Sequence, residues 1–250
     1  MTYSIVARDP ATGDLGVAVA SRYFAVGAIV PHVRGNVGAV ATQAFPNPTF
    51  GPDGLKLMEA GMAPDAIVNA FVERDQGHAN RQFHMIDHQG RNAAYTGLNC
   101  VDWAGHEVAD GVSVAGNMLE GPAVVAETLR TYQAAMDQPL ADRLLLAMQA
   151  GEDAGGDKRG KQSACLKIFK DQDYPWLDIR SDDHGDPLSE LRRLYAVAQE
   201  RFLMMAEAMP TRENPHGITD RTDIDARVAR ELEQREARGE PSASFMTTKP

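Results

Sequence analysis

Near its start the chain alternates apolar and polar side chains with the period of a β-strand. Residues 2–9 form one such run, Pro10-Ala11-Thr12-Gly13 supplies turn residues, and residues 16–22 resume with Val17 and Val19 alternating with Ala18 and Ala20. Pairing Asp9 with Asp14 or Leu15 in an antiparallel ribbon brings Ser21 or Arg22 opposite Thr2. A third strand is predicted over residues 36–43, where small apolar side chains end at Gln43. The segment Phe45-Pro46-Asn47-Pro48-Thr49-Phe50-Gly51-Pro52 is too rich in proline for regular structure and predicts a shaped loop. Helices follow over residues 53–60, stopped by Gly61, and 64–74, with proline in the first turn. A hairpin over residues 82–95 turns at His88-Gln89-Gly90-Arg91.

In the second half, a short strand over residues 112–115 leads into Gly116-Asn117, and residues 123–135 and 140–149 carry helical periodicity. Strands are predicted over residues 164–170 and 176–180. From Asp186, a plausible N-cap followed by Pro187, the apolar residues Leu188, Leu191, Tyr195, Ala198, Phe202, Met205 and Met209 recur every three or four positions. That stripe predicts one long helix. Beyond Pro210 the chain is polar, with a short charged helix around residues 223–238 carrying Ile224, Val228 and Leu232. We therefore expect one domain over residues 1–209 and a charged tail over 210–250, flexible or bound to a partner.

Strand pairs alternating with helix pairs imply an α+β layered architecture, two mainly antiparallel sheets between helix layers. A parallel dinucleotide-binding sheet fits worse, because the glycines after Leu15, Val37 and Ala154 lack the strand, G-x-G-x-x-G and helix context that cradles a phosphate.

Charge narrows the partners. A net charge of −10 opposes general nucleic-acid binding, which needs clustered Lys and Arg, and favours a small molecule or peptide as substrate. No stretch approaches the roughly 18 apolar residues of a membrane span, and the start lacks a basic segment followed by an apolar one, so a cytoplasmic protein is expected. Cys100 and Cys165 have no zinc or redox spacing and read as reduced thiols. The long helix or the tail would serve as the seam of a homodimer.

Thr2 carries the most specific chemistry. A threonine hydroxyl is a weak nucleophile, but once the preceding methionine is removed its own α-amine, with an ordinary pKa of about 7.7 to 8, can take its proton. A second feature is the loop Gly155-Gly156-Asp157-Lys158-Arg159-Gly160-Lys161-Gln162-Ser163, dense in donors and placed just before a strand.

Together with Thr2-Tyr3-Ser4-Ile5-Val6-Ala7, Gly16 to Arg22, Gly38 to Ala44, Gly116-Asn117-Met118-Leu119 and Asp178 to His184, that loop resembles a bacterial family, the domain of unknown function 1028 family, within the N-terminal-nucleophile hydrolase superfamily. The resemblance spans residues 2–203. It implies a four-layer αββα sandwich with the nucleophile at the end of a central strand, and cleavage of an amide bond through a covalent acyl-enzyme. On that basis Thr2 would attack, Asn117 and Gln43 would hold the oxyanion, and Ser21, Arg22, Asn47, Asp157, Arg159 and Gln162 would bind substrate, with no cofactor and no metal. Many members of the superfamily place a lysine near the nucleophile; here the first lysine is Lys56, so Arg22 or Arg34 would substitute.

Two other readings compete. Asp182, Asp183, His184 and Asp186 offer hard ligands and one imidazole for a divalent metal, which would make a metal-dependent hydrolase. Alternatively, the sandwich persists as a metabolite-binding or scaffolding protein without chemistry, in which case Thr2→Ala changes nothing measurable.

Overall fold

The alternation at the start of the chain becomes β1 (Thr2–Arg8), paired with β2 (Leu15–Ser21), in a computed structural model that describes residues 2–246. Met1, whose removal the nucleophile requires, and the last four residues of the tail lie outside the described residues. Then come β3 (Pro31–Arg34), β4 (Gly38–Ala44), α1 (Phe50–Glu59), α2 (Pro64–Arg74), β5 (Arg81–Asp87), β6 (Asn92–Thr96), β7 (Trp103–Ala109), β8 (Val112–Leu119), α3 (Ala123–Ala134), α4 (Leu140–Asp153), β9 (Ser163–Phe169) and β10 (Leu177–Ser181). The chain divides into two compact units, Met1–Leu188 and Ser189–Pro250.

The first unit is mixed α and β, with two antiparallel sheets and helices. One sheet has the order β10-β9-β2-β1-β8-β7 and the other β3-β4-β5-β6. Strand β1 is central in the larger sheet and buried on both faces. Its period of two sends Tyr3 one way, to donate to the Met148 carbonyl (2.9 Å) and the Glu152 carboxylate (3.0 Å) on α4. Ser4 goes the other way, to Gln43 on β4 (2.7 Å) and His84 on β5 (2.8 Å). Val6, Val17 and Val19 fill the space between the sheets with Ala39, Ala41 and Ile86. On the far face of the smaller sheet, Phe50 of α1 stacks on Phe71 of α2 at 4.3 Å, and both meet Phe83 of β5. Helix α4 lies so close to β2 that a Cβ on Gly16 would stand 2.6 Å from Leu144.

Several boundaries differ from the sequence reading for physical reasons. Strand β3 starts on a proline and β7 is a half-exposed edge strand irregular at Gly105, so neither carries the alternation that betrays a half-buried strand. Strand β8 does not stop at Ala115 but runs through Gly116 and Asn117 to Leu119. Helix α1 begins inside the proline-rich segment, since Gly51 and Pro52 fall in a first turn whose N–H groups need no intrahelical acceptor.

The second unit is helical. Helix α5 (Pro187–Val197) runs into a π turn (Ala198–Phe202) and α6 (Leu203–Ala206). The π turn breaks the three-and-four spacing of the predicted stripe, leaving Phe202 and Met209 exposed. The charged helix expected around residues 223–238 is α7 (Thr222–Ala237), and Arg227 pairs with Glu207 at 2.6 Å while Ser242 donates to Glu200 at 2.7 Å. These contacts join the tail segment to residues 189–209, and the division falls after Leu188 instead of after Met209. Among the described residues no helix is long and apolar enough to cross a membrane.

Candidate active site

Thr2 stands at one end of β1 with β2 and β8 on either side. Its strand partner on β8 is Asn117, and the β1–β2 register, Tyr3 with Ala20 and Ser4 with Val19, brings Ser21 across from it. The Thr2 and Ser21 hydroxyls lie 3.0 Å apart, and Thr2 is buried.

Behind Thr2 a polar network runs between the sheets. Gln43 donates to the Gln82 carboxamide oxygen (2.9 Å) and the Ala115 carbonyl (3.1 Å), while Gln82 donates to the Gly116 carbonyl (2.7 Å). Asn117 donates to the same Gln82 oxygen (2.9 Å) and, more loosely, to the Thr2 carbonyl at 3.4 Å. The Asn117 carboxamide oxygen is buried and lacks a hydrogen-bond partner among the described residues. Buried polar groups are as a rule hydrogen-bonded, so this acceptor stands out within the network. Deeper in, the imidazole of His84 bridges Ser4 and Ser113 at 2.8 and 2.9 Å. Burial, helped by the neighbouring His106, holds His84 down to about 3 against the hydrogen bonding to Ser113, so it is neutral at physiological pH.

A cavity of about 370 Å³ opens at Thr2. Gln43 shares its wall with Tyr23, Val26, Ile29, Val30 and Phe45, and the Tyr23 and Phe45 rings are exposed at the surface. Ala44 in the wall and Ala25 beside Val26 hold left-handed backbone (φ 68° and 52°), as does Met118 next to Asn117 on β8 (φ 54°). Each such residue costs of order 1–3 kcal/mol, and strain of this kind concentrates at functional sites.

The glycine-rich loop adjoins the same end of the sheet. The Asp157 carboxylate, itself buried, accepts the backbone N–H of Arg22 (2.8 Å) and of Arg159 (2.9 Å), and Asp157 bridges to Leu119 at the end of β8. Asp157 thus ties together the exits of β2, through its carboxylate, and of β8, through its backbone. Gly155, Gly156 and Gly160 take left-handed φ of 121°, 53° and 103°, which lets the loop double back.

The family model described as "Family of unknown function (DUF1028)" matches residues 2–191. The chain belongs to DUF1028. A crystal structure of a DUF1028 protein from Silicibacter pomeroyi superposes with a TM-score of 0.81 at 32% identity, covering 88% of this chain and 96% of that one. Anbu (ancestral beta-subunit) from Yersinia bercovieri is a far weaker likeness, with a TM-score of 0.38 at 13% identity over 83% of this chain and 98% of its own. No curated protein matches.

In this DUF1028 chain the fold brings together Thr2, Ser21, Asn117 and Gln43, with Asp157 and Arg159 on the adjoining loop. Both amide hydrogens of Gln43 already have acceptors, so its side chain braces the strands and walls the cavity instead of offering a donor to it. Arg22 is exposed beside Gly160 and meets the network through its backbone alone. Asn47 accepts from the Thr49 N–H (3.1 Å) and hydroxyl (2.8 Å) within its own loop, as asparagine does in a proline-flanked turn, and its side chain also hydrogen-bonds the Asp75 carboxylate. Gln162 donates its side chain to Asp183 and its backbone N–H to Ser21.

The acidic cluster before α5 is used locally. Asp182 pairs with Arg180 (3.2 Å), and His184 accepts the Asp186 backbone N–H (2.9 Å). Among the described residues no group of three or more His, Cys, Asp or Glu is arranged to hold a metal ion. Burial pushes the Cys165 thiol up to about 12 and raises that of Cys100, so neither is a thiolate nucleophile at neutral pH.

Sequence reasoning missed Ser4, Gln82, His84 and Ser113. A signal was available for Ser4, His84 and Ser113, each a polar residue at a strand position flanked by apolar ones; Gln82, preceded by Arg81, lacks it.

Proposed function

We propose that this chain is an N-terminal-nucleophile amidohydrolase with a four-layer αββα sandwich, cleaving an amide bond of a small molecule or peptide through an acyl-enzyme on Thr2. The placement of helices α3 and α4 beside one sheet and α1 and α2 beside the other supports the layering. The observation that carries the function is the Thr2 hydroxyl itself, at the end of a central strand, hydrogen-bonded to Ser21 and opening onto a cavity.

Cleavage of the bond before Thr2 frees its α-amine. Thr2 Oγ1 then attacks the substrate carbonyl carbon, and the amine takes the hydroxyl proton and passes it to the departing nitrogen. An ester on Thr2 remains. The amine next deprotonates a water, which attacks the ester carbon, and the acid leaves as Thr2 recovers its proton. The Asn117 oxygen, without a partner among the described residues, accepts a hydrogen bond from the new amine and orients it. The loosely held hydrogen on Asn117 Nδ2 is the candidate oxyanion donor, a part whose loss typically costs about 10² to 10³ in kcat. Ser21 positions the nucleophile, and Asp157 ties the exit of β2 at Arg22 to the glycine-rich loop at Arg159.

The test compares Thr2→Ala with Thr2→Ser on a panel of fluorogenic amides. Loss of all turnover in the alanine variant with partial activity in the serine variant, both folded, supports the reading; equal turnover in wild type and Thr2→Ala refutes it.

A further inference from the structure

We propose that the cavity at Thr2 is the acyl subsite, and that it takes an uncharged, apolar acyl group. The word acyl rests on the Thr2 reading above; the chemistry of the cavity does not.

Val26, Ile29, Val30 and the Tyr23 and Phe45 rings make a predominantly apolar wall, and no Asp, Glu, Lys, Arg or His contributes to it. The Gln43 carboxamide has no hydrogen left for a charge. Gln43 has spent both amide hydrogens on Gln82 and Ala115, and its oxygen accepts from Ser4. Arg81 and Asp157 are committed elsewhere, and the exposed Arg22 is not part of the wall. Arg81 lies over the outer Phe45 ring at 5.1 Å, and its guanidinium goes to Asp75 (2.9 Å) and the Phe45 carbonyl (2.7 Å). The Asp157 carboxylate is buried on two backbone N–H groups. A carboxylate or ammonium carried into this space would lose its water and find no counter-charge, whereas methylenes would gain roughly fourfold in affinity each. With about 370 Å³ available, the cavity is of the size that encloses a small ligand. Thr2 sits on its wall, so an acyl carbon bonded to Oγ1 would leave its chain in the cavity and its amine half outside, toward the exposed Arg22.

Two readouts separate this inference from the one beneath it. Binding of hexanamide, succinamate and 6-aminohexanamide to Thr2→Ala protein, followed by ligand-observed NMR, needs no nucleophile. We expect hexanamide to bind at least about tenfold more tightly than either charged analogue. Ile29→Trp, which fills the cavity from a half-buried position, should weaken hexanamide at least about tenfold with an unchanged melting curve. Turnover of hexanoyl, succinyl and lysyl coumarin amides by wild-type protein tests the nucleophile. Hexanamide binding without turnover of any amide upholds the apolar cavity and overturns the Thr2 chemistry. Turnover of the succinyl or lysyl amide in preference to the hexanoyl amide upholds Thr2 and overturns the apolar subsite, as does charged-analogue binding equal to that of hexanamide.

Discussion

His84 offers a test of the buried polar network that depends on no assumption about catalysis. Its ring is fully buried between Ser4 and Ser113, and burial lowers its pKa from the ordinary 6.5 to about 3. Between those values the unfolded chain binds a proton that the folded chain does not, so stability rises with pH and is lost as pH falls from 6.5 toward 3. The whole effect is about 5 kcal/mol at 1.36 kcal/mol for each tenfold change in affinity for the proton. Single-site linkage puts about 2 kcal/mol of it between pH 7 and pH 5. His84→Gln keeps a donor and an acceptor for the two serines but does not titrate. His32 and His106 are also held low by burial and contribute with the same sign, so the variant will not be flat; it should lose about 2 kcal/mol less than wild type over that interval. Urea unfolding at pH 7, 6 and 5 measures this directly. Parallel stability curves for wild type and His84→Gln would refute the burial of a neutral imidazole at this position.

Other expected outcomes follow from single contacts. Asp9→Asn removes the counter-charge from the buried Arg143 guanidinium and should cost about 3–5 kcal/mol in unfolding free energy, against under about 1 kcal/mol if the pair were solvated. Phe71→Ala opens a void between Phe50 and Phe83 and should cost about 3–5 kcal/mol by the same measurement. Asp157→Ala leaves the Arg22 and Arg159 amides without their acceptor, so hydrogen exchange should accelerate at both while the core strands keep their protection; unchanged exchange at Arg22 would contradict the tie.

Much of the fold could be read from the chain because local chemistry dictated it. The alternation and the Pro10–Gly13 turn narrow the hairpin to two registers, with Ser21 or Arg22 opposite Thr2, and the strands adopt the one that places Ser21 there. The second helix runs Pro64–Arg74, as its opening proline and apolar spacing predict. Strands β3 and β7 were illegible because one is four residues long and the other lies at an exposed edge. The candidate site divides in the same way. Thr2, Ser21 and Asn117 meet because adjacent strands pair, which local patterning controls. The cavity wall at residues 23–30 is an irregular segment positioned by distant groups: the Val26 N–H is held by Ser163, and the Ala25 N–H by the Asp182 carbonyl. No periodicity encodes such contacts. Gln43 was legible as a site residue, but that its hydrogens are spent on Gln82 and Ala115 depends on how the two sheets face each other.

The most direct test of the proposed chemistry is the intact mass of untagged protein before and after incubation with an amide substrate that turns over slowly. Loss of the mass of Met1, followed by a gain equal to the acyl group that maps to Thr2, is the predicted result. Quantitative retention of Met1, or an acyl group that maps elsewhere, would contradict it.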